Sequence, residues 1–179
     1  TRARPVAGNA KVGAEIETFR RELLARVQDR AATLAAVAEM RARLAEAKPG
    51  GMALDAKAGP GRLQDIELFA ETGTLLAGSA CRRITDQLAE AAGAFELNDE
   101  EIDLLGKAVA LFWRVQAAAR LVAGEGTINS EETGAGASSF LLRDTEAKTV
   151  GELEDRLTDL SAGVAALISK HIGSPAQST

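Results

Sequence analysis

Apolar residues recur at helical spacing along almost the whole chain. Ile16, Phe19, Leu23 and Val27 make one stripe, and Leu34, Val37, Met40 and Leu44 a second. A third begins after a glycine-rich stretch, with Leu63, Ile66, Phe69 and Leu76. Ile84, Leu88, Ala91 and Phe95 give a fourth. Asn98 with Glu101 three residues on has the form of a capping box. The long helix it opens is expected to bury Ile102, Leu105, Val109, Phe112, Val115 and Val122 and to stop at Gly124. Residues 124–138, "GEGTINSEETGAGAS", are polar and aperiodic and read as a loop, and "SFLLRDTEA" as a short helix. Thr149 and Glu152 form a second capping box. From Val150 through Leu153, Leu157, Leu160, Val164, Leu167 and His171 the spacing alternates between three and four, the seam of a closely packed helix ending at Gly173. No strand and no internal repeat is readable. The pattern predicts an all-α fold, a bundle of about six or seven helices without significant sheet. It is read as one helical domain over 1–173 with a polar tail over 174–179.

Composition narrows the function. Apolar residues are 46% and charged residues 26%, the balance of a globular chain. A net charge of −5 and the absence of tyrosine argue against nucleic acid as a partner. No apolar run is long enough to span a bilayer, so no membrane association is expected. The single cysteine, Cys81, has no partner for an internal disulfide, which points to a reducing compartment. No P-loop, dinucleotide fingerprint or His/Cys cluster is present, and no metal site is expected. His171 lies on the apolar seam and Trp113 beside Phe112, both simplest as core or core-edge residues. Nucleotidyl transfer needs a Gly-Ser pair followed by an Asp-x-Asp on a strand to hold metal, and that signature does not occur.

One stretch stands apart. "KAGPGRLQDIE", Lys57 to Glu67, puts a lysine, a Gly-Pro-Gly turn and two acids together. The plain reading is a turn into a helix whose first-turn acids suit the helix dipole. The sharper reading is a loop that offers backbone N–H groups and a lysine to an anion. Asp65 and Glu67, two apart, point to nearly opposite sides of a helix and cannot share one metal.

"DAKAGPGRLQDIELFAE" resembles the motif that follows each catalytic unit in the glutamine synthetase adenylyltransferase family. Lys57, Gly59, Gly61, Leu63, Asp65, Ile66 and Glu67 carry it. "TRARPVAGNAKVGAEIE", "VAEMRARLAE" and "LFWRVQAAARLVAGEG" resemble the segments around it, the last being closer to the C-terminal half of the family. Arg62, Leu68 and Glu71 depart from the family pattern. The resemblance implies a bacterial, cytoplasmic enzyme with two nucleotidyltransferase domains, each followed by a helical domain. One half transfers AMP from ATP, with magnesium, to a tyrosine of glutamine synthetase, and the other removes it. It implies regulation by PII signal protein. This chain would then be the helical domain of the adenylylating half, with no catalytic residue and no cofactor of its own. Its partners would be the nucleotidyltransferase domain of the same protein, glutamine synthetase and PII. Lys57, Gly59, Gly61, Arg62, Asp65 and Glu67 are expected to form a domain-interface or phosphate-facing loop. Two alternatives remain: a free-standing helical interaction domain, and the helical domain of a PII uridylyltransferase relative.

Overall fold

The computed structural model describes residues 2–47, 53–122 and 134–173. They form α1 (Ala10–Leu24), α2 (Arg30–Ala47), α3 (Leu63–Leu76), α4 (Ile84–Ala94), α5 (Asp99–Val122), α6 (Ala135–Thr145) and α7 (Val150–Ile172). No strand occurs among the described residues, so the all-α reading stands. The stop expected at Gly124 and the tail 174–179 lie outside them. The helices group into two compact units, Thr1–Val37 with Glu67–Asn98, and Ala38–Ile66 with Asp99–Thr179.

The first unit holds α1, the start of α2, most of α3, and α4. Asn9 caps α1, its side-chain oxygen accepting from the N–H groups of Lys11 at 2.9 Å and Val12 at 3.4 Å. The core of this unit is narrow. Phe69 and Phe95 stack with centroids 4.5 Å apart, and the Arg30 guanidinium lies over Phe95 at 5.4 Å. Gly73 brings α3 against α4: a Cβ there would stand 2.3 Å from the Cα of Ala91. The buried residues of α1 are Arg20 and Leu24, each 8% exposed. The stripe expected to be buried faces out, with Ile16 51%, Phe19 60% and Leu23 43% exposed.

What ties α1 down is polar. The Arg20 guanidinium donates to the Ala80 carbonyl at 2.9 Å and lies 3.2 Å from Glu17. Glu17 also takes Arg21 at 3.3 Å and pairs with Arg82. Partial burial raises the Glu17 carboxyl, but the hydrogen bond and charge of Arg82, helped by Arg20 and Arg21, outweigh it and hold its pKa below the ordinary 4.5. A carboxyl lowered in the folded state adds stability above its unfolded value, and that stability is lost as pH falls through the folded one. Melting temperature is therefore expected to drop as pH falls below the ordinary carboxylate value. Glu17→Gln should flatten that part of the profile and lower the plateau at neutral pH. An unchanged profile, measured by circular dichroism, would show that the cluster does not hold α1.

The second unit is better packed. α5 turns Leu105, Val109, Phe112 and Val115 inward, and α7 answers with Leu153, Leu157, Val164 and Ile168. Phe112 and Ile168 are fully buried and Leu157 nearly so; burying such a side chain contributes about 1.5–3 kcal/mol. α6 adds Leu141. The second capping box forms as read. Glu152 N–H donates to the Thr149 hydroxyl at 3.1 Å, and the Glu152 carboxylate accepts from Lys148 N–H at 2.9 Å, one residue earlier than the usual pattern. α6 starts at Ala135, so four residues read as loop are helical. Two positions on α5 also differ from expectation: Ile102 and Trp113 are exposed, at 44% and 42%. His171 is mostly covered and lies 3.8 Å from Glu101, the edge position expected.

Candidate functional site

The loop between α2 and α3 closes on itself through Asp55. Its carboxylate accepts from the N–H groups of Lys57 at 2.8 Å and Ala58 at 3.0 Å, an Asx turn two residues before the lysine. Carbonyls of the loop then receive the free N–H groups at the start of α3. Arg62 donates to Gly59 at 3.2 Å, Leu63 to Ala56 at 3.2 Å, and Gln64 to Lys57 at 3.1 Å. The Gly61 N–H donates to the Asp65 carboxylate at 2.8 Å. The N–H groups of Gly61, Arg62, Leu63 and Gln64 are thus engaged within the protein. The Lys57 side chain is left exposed.

Gly61 has two reasons to be glycine. Its φ is +70°, in the left-handed region, and a Cβ there would stand 1.9 Å from the carbonyl oxygen of Ser161 and 2.7 Å from the Ala165 nitrogen. The loop therefore presses backbone to backbone on the middle of α7. Gly59, also at positive φ (119°), opens the turn around Pro60. Arg62 bridges back, its guanidinium donating to the Asp55 carbonyl. Burial lowers the Arg62 pKa and the charge of Asp55 partly offsets that, leaving the group protonated at neutral pH.

Asp65 is the hub. Its two oxygens take Arg41 in a bidentate pair, at 2.7 Å from Nε and 3.0 Å from Nη2, while Arg41 Nη1 donates to the Gly173 carbonyl at 2.7 Å. Arg41 is 4% exposed and Asp65 9%. One ion pair thus joins the C-terminal part of α2, the first turn of α3, the loop and the end of α7. Arg41, not Met40, occupies the inward position: it follows Val37 by four and precedes Leu44 by three, while Met40 is 52% exposed. That spacing fits Met40 and Arg41 equally and does not choose between them, whereas the Asx pattern could have identified Asp55. Glu67, in the other unit, lies 3.4 Å from Arg2, which also meets Glu71 at 3.1 Å. The two acids of the motif diverge, as their spacing requires.

Chemical capacity is small. The cavity beside the loop, lined by Arg41, Leu44, Gly59, Pro60, Gln64 and Asp65, has about 30 Å³, room for about one water and not for a nucleotide. Among the described residues no three His, Cys, Asp or Glu side chains gather in a metal-binding group, and no helix is long and apolar enough to cross a membrane.

Comparison with known proteins supplies the relationship. A protein of Mesorhizobium japonicum called bifunctional glutamine synthetase adenylyltransferase/adenylyl-removing enzyme is 30% identical over 168 residues, 92% of this chain. A Rhizobium meliloti protein of the same name is 30% identical over 172 residues. The chain is a relative of the glutamine synthetase adenylyltransferases. A third protein of that name, from Methylococcus capsulatus, is 38% identical over 88 residues. The chain spans 17% of the length of each of the first two adenylyltransferases. No protein-family model and no solved structure matches it. The stretch by which the chain resembles the adenylyltransferases is thus, in its own fold, a self-capped loop clamped between α7 and Arg41.

Proposed function

We propose that this chain is the helical domain of an enzyme that adenylylates glutamine synthetase, and that it supports AMP transfer without carrying the chemistry. The observation that carries the reading is the 30% identity to two such enzymes along 92% of the chain. The geometry supports a supporting role: Asp65, Arg62 and Gly61 are spent on holding the loop, and the cavity beside it admits no nucleotide. ATP and magnesium belong to a nucleotidyltransferase domain of the same protein, in a bacterial cytoplasm. The loop, with the exposed Lys57 at its rim, faces that domain, where a point cation on a long stem can meet a phosphate or a carboxylate. Glutamine synthetase and PII signal protein are the further partners. The test is transfer of labelled AMP from ATP to the synthetase. The chain alone should transfer none, and Lys57→Ala in the longer enzyme should lower turnover about tenfold or more while leaving the melting temperature unchanged. Transfer by the chain alone, or a Lys57→Ala enzyme with full turnover, would reject this division of labour.

A further inference from the structure

α1 carries an apolar stripe that its own unit does not use. Val12, Ile16, Phe19 and Leu23 are 51%, 51%, 60% and 43% exposed, spaced four, three and four apart, so they form one continuous ridge. Val6 and Val27, just outside the helix, are also exposed, at 82% and 100%. With only Arg20 and Leu24 buried, α1 has little packing of its own. A helix of 15 residues is marginal without a packed face. Scattered exposed apolar residues are ordinary; a contiguous ridge on the least buried helix is not.

The charges beside the ridge restrict what can cover it. Glu15 and Glu22 are both exposed and lie along one edge. On the other edge Arg20 is turned inward and bonded to the Ala80 carbonyl. A second copy packed antiparallel would set Glu15 against Glu22 of its partner, like charge on like. A parallel copy would need Arg20 free to meet Glu15, and it is buried. Area argues the same way. Four half-exposed side chains offer a few hundred Å², against the roughly 800 Å² per partner of a stable interface between free proteins. A patch of this size suffices when the partner is tethered, because a short tether raises its effective concentration to the millimolar range.

We propose that the Val12–Leu23 face of α1 docks on another domain of the same polypeptide, one that presents an apolar surface edged by lysine or arginine side chains opposite Glu15 and Glu22. This rests on the proposed function, in which the chain is part of a longer enzyme and the docked domain is its nucleotidyltransferase domain. Docking gives α1 the packing it lacks and fixes the position of the helical domain on the catalytic one.

The test compares the 179-residue chain with the longer enzyme. Both carry Cys81→Ser and Phe19→Cys, and alkylation at position 19 by iodoacetamide is followed by mass spectrometry. Alkylation should be at least about tenfold slower in the longer enzyme. Ala14→Cys, on the opposite side of α1, should react equally in both. Equal rates at Phe19→Cys would overturn the proposal. So would protection in the isolated chain that deepens with protein concentration, since a second copy would then be the occupant. The AMP-transfer assay on the unlabelled longer enzyme keeps the two readings apart. Transfer with position 19 still exposed sinks the docking alone, and protection without transfer sinks the functional reading alone.

Discussion

Gly61→Ala is expected to cost at least about 3 kcal/mol, and so to lower the melting temperature by roughly 6–12 °C for a chain of this size. Two contributions add. A side chain at a φ of +70° costs about 1–2 kcal/mol. The new methyl must also displace the backbone of α7 at Ser161 and Ala165, and backbone cannot swing aside as a side-chain end can. Gly61→Val should be worse, because a β-branched residue fits the left-handed region poorly. Gly106, in the same unit, is the control. It sits mid-helix in α5 with nothing within 4 Å of a Cβ, so Gly106→Ala should stabilise by about 0.5–1 kcal/mol. Denaturant unfolding of the three variants decides the matter. A Gly61→Ala chain as stable as the unsubstituted one would mean that the loop does not rest on α7 in solution.

Periodicity and capping chemistry are local, and what they govern was legible. The seam of α7, its Thr149–Glu152 start and the inward face of α5 follow from spacing alone, since each needs only residues within a few turns. What periodicity cannot say is which surface a stripe meets. The ridge of α1 has the pattern of a buried face and stands exposed, because an amphipathic helix reads the same whether its partner lies in this chain or elsewhere. Gly73 is a related case: a glycine inside a helix signals close approach, but only the fold names Ala91 as the neighbour. The 57–67 stretch was recognisable as special, and the divergence of Asp65 from Glu67 followed from helix geometry. The partner of Asp65 did not follow. Arg41 is 24 positions away, and a buried arginine looks in sequence like any exposed one.

That ion pair carries the second large effect. Arg41→Ala and Asp65→Ala are each expected to destabilise by about 3–5 kcal/mol, since each strands an opposite charge inside the protein. Asp65→Ala leaves the Arg41 guanidinium with the Gly173 carbonyl, and strips the Gly61 N–H of its acceptor. Arg41→Ala leaves the carboxylate with that one N–H, and the end of α7 without its donor. The double variant removes both charges at once. It should therefore cost less than the sum of the singles, with a coupling of about 2–3 kcal/mol. It should not return to the original stability, because the Gly61 N–H and the Gly173 carbonyl each keep an unmet bond, at about 1–3 kcal/mol apiece where no water reaches. A complete cycle of urea unfolding curves measures all three quantities. Singles that cost under 1 kcal/mol, or costs that simply add, would show that Arg41 and Asp65 do not form a buried pair in solution. In the longer enzyme proposed above, the same variants would separate structure from chemistry. If the pair only holds the loop, AMP transfer should fall in proportion to the folded fraction, and turnover per folded molecule should stay near that of the unsubstituted enzyme.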